Sequence, residues 1–253
     1  MTSEPCYADE LVTLYHGDCL AVLPSLPDES EEIVVTSPPY NMGLVPGGDG
    51  RGMYRPGASN KAGRFRDGYG GRGDAMPYPE YCAWQRQVLC ECWRVSRLGV
   101  LCSHRPGVEH GRLRMPLNFD FGFPVRQVII WDRGTGIDVN LRNFCTRQEW
   151  VIVFAKPSFL LVSRSTSGMG DVWRLGIETK VSAPPAPFPI SLPAWCIEAT
   201  GAHSVLDPFA GSTLRAARDA GIRATGIEVN APYCDLAVSR LAWLSPSESA
   251  VHW

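Results

Sequence analysis

The chain has 253 residues, 45% of them hydrophobic and 20% charged, which is enough for one large α/β domain with a complete core. Its formal net charge of -2 provides no overall field for nucleic acid, so any such surface has to be local. Nine cysteines lie scattered through apolar runs without paired CxxC spacing, which excludes a disulfide framework and a zinc site. They read as reduced thiols. No run reaches membrane-spanning length, and no basic N-terminal region leads into an apolar core. The expectation is a cytoplasmic protein with no metal and no membrane partner.

Leu11 to Tyr15 is β-prone and ends at His16-Gly17-Asp18-Cys19-Leu20. Gly17 permits a tight turn, and Asp18 is a good N-cap for a helix running through Leu23, which Pro24 to Pro27 breaks. At the carboxyl end of a sheet strand, a carboxylate can equally accept from an adenine amino group or a ribose hydroxyl, so Asp18 has two readings. The apolar run Ile33-Val34-Val35 then leads into Thr36-Ser37-Pro38-Pro39-Tyr40. Pro38 and Pro39 fix φ and lack N–H groups, so the chain leaves the sheet extended, with carbonyls that can accept from a ligand. Ser37 adds a hydroxyl at the lip of the sheet, and Tyr40 adds a ring able to stack on another ring. These are parts for gripping an exocyclic amino group.

Residues 42–75 contain eleven glycines and show no apolar period, so they are expected to form a mobile basic loop. Arg51, Arg55, Lys61, Arg64 and Arg66 are interleaved there with Tyr54, Phe65 and Tyr69, a composition suited to phosphates and exposed bases. Pro79 to Val95 predicts a helix that buries Tyr81, Trp84, Val88, Cys92 and Val95. Gly99 to Ser103, Val125 to Trp131 and Glu149 to Ala155 predict strands, the last two paired antiparallel. Lys156 to Ser182 reads as irregular, and Trp173 within it suits a core plug as well as a base contact.

The proline-rich connector Ala183 to Pro189 feeds a helix from Leu192 to Thr200, ended by Gly201. Ser204-Val205-Leu206-Asp207-Pro208-Phe209-Ala210-Gly211-Ser212-Thr213 follows, then a helix from Leu214 to Ala220. Strand, acidic turn, glycine and helix together suit a nucleoside-binding crevice, because Gly211 lets a ligand approach the backbone at the helix start. A second strand, Ala224 to Ile227, ends in Glu228-Val229-Asn230, where a carboxylate can pair with ribose hydroxyls. Tyr233 to Leu244 closes the chain as an amphipathic helix.

In this order, these residues resemble the permuted, or β-group, DNA amino-methyltransferases, which use S-adenosyl-L-methionine to methylate N6 of adenine or N4 of cytosine. The resemblance covers nearly the whole chain. His16 to Leu20 looks like the adenine-contacting motif, Thr36 to Tyr40 the catalytic motif, and Glu149 to Lys156 the strand before target recognition. Pro187-Phe188-Pro189 resembles the entry to the cofactor-packing helix, Asp207 to Ser212 the methionine-side loop, and Glu228 with Asn230 the ribose end. A catalytic motif that precedes the cofactor loop is the ordering that defines the group.

The resemblance implies a Rossmann-like α/β fold, with a seven-stranded, mostly parallel sheet, helices on both faces and a circularly permuted motif order. It implies one methyltransferase domain over residues 1–253, with 157–182 as a candidate target-recognition insertion. Ser37, Pro38, Pro39 and Tyr40 would be catalytic. Asp18, Leu20, Asp207, Phe209, Gly211, Ser212, Glu228 and Asn230 would hold the cofactor. The partner implied is double-stranded DNA with its target base flipped out, contacted by Arg51, Arg55, Lys61, Arg64 and Arg66. A homodimer and an accompanying restriction endonuclease are both compatible with the family. Ser37 at the first motif position is the commoner pattern among cytosine-N4 members, so N4 of cytosine is favoured over N6 of adenine.

The chain departs from the family pattern at one place. Members usually continue the cofactor loop as Gly-Ser-Gly-Thr, whereas here Gly211-Ser212 runs into Thr213-Leu214. That costs little in helical backbone and matters if the position needs φ > 0 or if the cofactor packs on it. The departure keeps a catalytically silent DNA-binding relative in view. An RNA or protein methyltransferase is disfavoured by the motif order, and a generic nucleotide-binding enzyme leaves Ser37 to Tyr40 unexplained.

Overall fold

The structure is a computed structural model that describes residues 4–41, 76–109, 112–115, 121–136, 144–177 and 188–242. In chain order the elements begin with β1 (Tyr7–Ala8), β2 (Val12–His16), α1 (Cys19–Val22), a 3-10 turn Leu23–Ser25, β3 (Glu31–Thr36), α2 (Tyr78–Val95) and β4 (Ser96–His104). Next come β5 (Gly107–Glu109), β6 (Arg112–Arg114), β7 (Val125–Asp132), β8 (Gln148–Ala155), α3 (Arg164–Gly168) and β9 (Val172–Arg174). The chain continues through α4 (Ser191–Thr200), β10 (Ser204–Asp207), α5 (Ser212–Asp219), β11 (Arg223–Glu228) and α6 (Ala231–Ala242).

One sheet runs β1-β2-β11-β10-β3-β4-β8-β7-β9, and β5 with β6 forms a separate ribbon. Strands β2, β11, β10, β3 and β4 are mutually parallel, β8 is antiparallel to β4, β7 is antiparallel to β8, and β9 joins β7 in parallel. The seven strands from β2 to β7 in that order are the expected mostly parallel sheet. The two- and three-residue strands β1 and β9 extend its edges. Strand β9 also corrects the expectation that 156–182 is irregular, because Val172-Trp173-Arg174 pairs with Ile130-Trp131-Asp132. Trp173 is a buried plug, T-stacked on Trp195 at 5.4 Å, with its Nε1–H donated to Gly170 O.

The period-2 alternation of strand side chains divides the core into two layers. Ile33, Val35, Leu101, Val151, Val153 and Val205 point to one face and pack with Leu192, Cys196, Leu214, Ala217 and Leu241 from α4, α5 and α6. Val34, Val100, Ile152, Phe154, Leu206 and Ile227 point to the other, against Val22 of α1 and Tyr81, Val88, Leu89, Cys92 and Val95 of α2. Strand β10 is buried at every position, as suits a parallel strand covered on both sides. At Gly226 of β11, a Cβ would meet Leu214 Cδ1 at 2.8 Å and Ala210 Cβ at 2.9 Å, so the glycine is what lets α5 lie this close to the sheet. Among the described residues, no helix is long and apolar enough to cross a membrane.

Candidate active site

All five parallel strands point their carboxyl ends the same way, so His16, Glu228, Asp207, Thr36 and His104 finish along one edge of the sheet. Adjacent strands are about 4.8 Å apart, which brings Asp18 beyond β2 within roughly 10 Å, laterally, of Asp207 on β10. Residues nearly two hundred positions apart in sequence thus come to one edge of the sheet. The connections are stitched by backbone bonds: Gly17 N donates to Glu228 O at 2.9 Å and Ala210 N to Ile227 O at 2.8 Å.

Asp18 is the N-cap of α1, its Oδ1 accepting from Leu20 N at 2.8 Å, which fixes the carboxylate at the mouth of the turn. Leu20 is half-buried against the α1–α2 layer. Glu228 is also half-buried, and its Oε1 accepts from Asn230 N at 2.7 Å. Burial pushes its carboxyl up to about 7, helped by the nearby Asp207 carboxylate and opposed by the Asn230 N–H. Asn230 Oδ1 is buried with no hydrogen-bond partner among the described residues. Phe209 is half-buried, edge-on to Trp84 at 5.7 Å. At Gly211 a Cβ would meet no atom within 4 Å, so the backbone there borders open space.

Asp207 differs from these. It is 1% exposed, and its oxygens accept from Thr36 Oγ1 at 2.9 Å, Thr213 Oγ1 at 2.7 Å and Phe209 N at 3.1 Å. Burial pushes its carboxyl up to about 6 against those three donors. It lies beneath the crevice and ties β10 to β3 and α5. Ser212 is turned inward as well, donating to Phe188 O at 2.8 Å, which leaves only the backbone at this helix start facing outward. Thr213 lies inside α5, fully buried, with no left-handed backbone to accommodate. Its hydroxyl instead supplies a donor to Asp207, a role that a glycine could not fill.

The Ser37–Tyr40 segment sits at the end of β3, beside β4. Ser37 Oγ lies 2.8 Å from the Tyr40 phenol oxygen, which is also 3.2 Å from Ser103 Oγ and donates to Glu149 Oε2 at 3.0 Å. Burial and the Glu149 carboxylate hold the Tyr40 phenol well above its ordinary value, so it stays protonated. The Tyr40 ring lies 4.9 Å from that of His104. Pro39 O accepts from Tyr81 Oη at 2.8 Å, whereas no donor to Pro38 O is found among the described residues.

Tyr81 links the lip to α2 and β4. A carbonyl only accepts, so the Tyr81 proton goes to Pro39 O, and Gln85 Nε2 donates to Tyr81 at 2.9 Å. His104 Nε2 lies 2.8 Å from Tyr81 Oη, and its Nδ1 lies 2.8 Å from Arg105 N and 3.0 Å from Arg105 O. Burial pushes His104 down to about 4, which keeps the ring neutral. Sequence reasoning missed Tyr81, Gln85, His104, Ser103 and Glu149 as parts of the site: Glu149 reads only as the start of the strand before target recognition, and the other four belong to no local motif.

With this geometry in place, a family model for N6/N4 DNA methylases matches residues 32–239. The chain belongs to the N6/N4 DNA methylase family. It is 26% identical over 282 residues to the type II methyltransferase M.ScaI of Streptomyces caespitosus, covering 94% of this chain and 84% of that one. The fold is similar to that of the PvuII cytosine-N4-specific DNA methyltransferase, with a TM-score of 0.73 and 18% identity over 97% of this chain and 91% of that one. It is also similar to TTHA0409 of Thermus thermophilus in complex with S-adenosyl-L-methionine, with a TM-score of 0.60 and 24% identity over 90% of this chain and 94% of that one. The protein is therefore a DNA amino-methyltransferase by family.

The five basic residues Arg51, Arg55, Lys61, Arg64 and Arg66, expected to contact DNA, lie outside the described residues.

Proposed function

We propose that this chain moves a methyl group from S-adenosyl-L-methionine to an exocyclic amino group of a base in DNA, with N4 of cytosine favoured. The observation that carries the reading is the shared sheet edge. The Ser37-Pro38-Pro39-Tyr40 lip and the Asp18, Phe209 and Glu228 crevice sit at the carboxyl ends of neighbouring parallel strands. The residues suit an adenosyl group. Carboxylates at Asp18 and Glu228 accept from amino and hydroxyl groups, Phe209 offers a ring, the orphaned Asn230 Oδ1 seeks a donor, and Gly211 leaves room beside the helix start.

When bound, the cofactor supplies an electrophilic sulfonium methyl, and the protein's task is to ready the nitrogen. An aromatic amine attacks poorly because its lone pair is delocalised into the ring. Pro38 O and Ser37 Oγ accept its two hydrogens, which makes the nitrogen more tetrahedral and aims its lone pair. No strong base is needed, since the methylated product is acidic enough to lose its proton to water. Tyr40, its phenol held from within, offers its ring to a base flipped out of the duplex. Asp207 and Ser212 position the loop from below. The motif order along the chain matches the permuted group, and the packing of Thr213 lends no support to a silent relative.

The test is transfer of labelled methyl to duplex DNA, followed by nucleoside analysis. N4-methylcytosine is expected. N6-methyladenine would overturn the cytosine assignment alone, and a chain that fails to bind the cofactor would overturn the whole reading.

A further inference from the structure

Resting on that reading, we propose that Glu149 positions the Ser37 hydroxyl by dictating the direction of the hydrogen bonds between them. Glu149 lies on β8, far from the motif, and is 7% exposed. One of its oxygens, Oε1, is 3.1 Å from Arg133 Nη1, and the other accepts from Tyr40 Oη at 3.0 Å. Arg133 is itself held by donation from Nη2 to Thr146 O at 2.9 Å. Burial pushes the Glu149 carboxyl up, while the donor-only Arg133 guanidinium beside it and the Tyr40 phenol that donates to it favour its ionised, purely accepting form.

The polarity of the chain follows. Tyr40 has one proton, and the carboxylate takes it. In the 2.8 Å contact between Ser37 Oγ and Tyr40 Oη, the hydrogen therefore comes from Ser37. Ser103 at 3.2 Å fills the remaining acceptor position of the same oxygen. With its own proton pointed inward at Tyr40, Ser37 turns both lone pairs outward. A serine in that state accepts a hydrogen from the target amino group, whereas one with its proton outward would face that amino group donor to donor.

Glu149→Gln keeps the shape and breaks the logic. Arg133 still requires an oxygen, so the amide carbonyl faces Arg133 and the amide nitrogen faces Tyr40, where it can only donate. The Tyr40 proton is released toward the two serines, and Ser37 is the nearer. The expected result is a fall in kcat of about tenfold or more, with KM for DNA and cofactor affinity unchanged. In a Tyr40→Phe background, which has no oxygen to relay the change, Glu149→Gln should have no further effect.

The experiment is single-turnover methyl transfer by the four full-length proteins of this cycle, alongside cofactor and DNA affinities. Parental kcat in Glu149→Gln, or an equal loss in both backgrounds, overturns the inference while leaving the methyltransferase reading intact. A wild-type chain that transfers no methyl group overturns both. If Glu149→Gln does not fold, Tyr40→Phe alone decides: the Ser37 proton loses its inward acceptor, so kcat should drop severalfold, and an unchanged kcat overturns the proposal.

Discussion

The Thr213 hydroxyl donates to Asp207 Oδ2 at 2.7 Å, inside a layer where both residues are almost wholly buried. The residue that departs from the family pattern is thus one of three donors that keep a buried carboxyl tolerable. The same hydroxyl lies 3.3 Å from Val35 O, at the base of the Ser-Pro-Pro-Tyr strand. This threonine, inside α5, thus touches both β10 and β3.

Removing that donor should destabilise the fold in a pH-dependent way. Thr213→Val keeps the volume and leaves an Asp207 oxygen unsatisfied, at a cost of about 1 to 3 kcal/mol. The folded-state pKa of Asp207 is raised from 3.8 to about 6, so its carboxyl binds more protons folded than unfolded between those values. Its contribution is therefore fully present below pH 3.8 and lost as pH rises through about 6. A protonated carboxyl needs fewer donors, so the penalty of Thr213→Val should be larger at about pH 7.5 than at about pH 5. Urea denaturation of both proteins at the two pH values measures it, and a penalty independent of pH would contradict the assignment.

Cofactor binding should carry the signature of Glu228. Its carboxyl titrates at about 7, and only the ionised form is a pure acceptor for hydroxyl groups. Affinity for S-adenosyl-L-methionine is expected to rise as pH increases through about 7. Glu228→Gln should bind more weakly and lose that dependence. Calorimetric titration across the range tests this, and a variant that keeps the wild-type slope would move the titration to another group.

The parallel core was legible because its strands are continuous apolar runs bounded by Gly, Pro and Asp. Ile33-Val34-Val35 and Val205-Leu206 announce themselves without partners. The edge strand β9 was not, since three residues carry no period and its pairing with Ile130 to Asp132 is a tertiary event. Within the site, Ser37, Tyr40, Asp18 and Glu228 were readable from their place at strand ends. Whether a carboxylate faces the crevice or the core was not: Asp207 and Glu228 end neighbouring strands, and only packing of Thr36 and Thr213 separates the first from the second. Glu149 read only as the start of the strand before target recognition, because its partner Tyr40 is 109 residues away.

Arg64 and Arg66 belong to the basic sequence segment 42–75, and the residues on either side of it, Asn41 and Met76, exchange two hydrogen bonds. Neutralising Arg64 and Arg66 to Gln should weaken duplex binding and reduce the slope of log affinity against log salt by about 2, one for each phosphate no longer neutralised. Cofactor affinity should not change. Fluorescence anisotropy over a salt series reads both quantities for DNA, and an unchanged slope would remove these two side chains from the interface.

Ser37→Ala is the sharpest test of the chemistry. The substitution deletes one acceptor for the amino group and leaves Pro38 O, the Asp18 and Glu228 crevice and the Tyr81–Pro39 bond in place. Losing one preorganised polar partner at the reacting atom typically costs about 10² to 10³ in turnover, or about 3 to 4 kcal/mol. Stability should change little, because the alanine is small, and Tyr40 Oη keeps Ser103 and Glu149 as partners. Cofactor affinity should be parental, since Ser37 follows directly on β3, which β10 separates from the Glu228 strand. Tyr40→Ala should behave differently, losing about 1 to 3 kcal/mol of base stacking in productive DNA binding. Methyl transfer by Ser37→Ala at the parental rate would mean that the hydroxyl serves only to hold Tyr40. The preference for cytosine N4, which leans on a serine at this position, would lose its support with it.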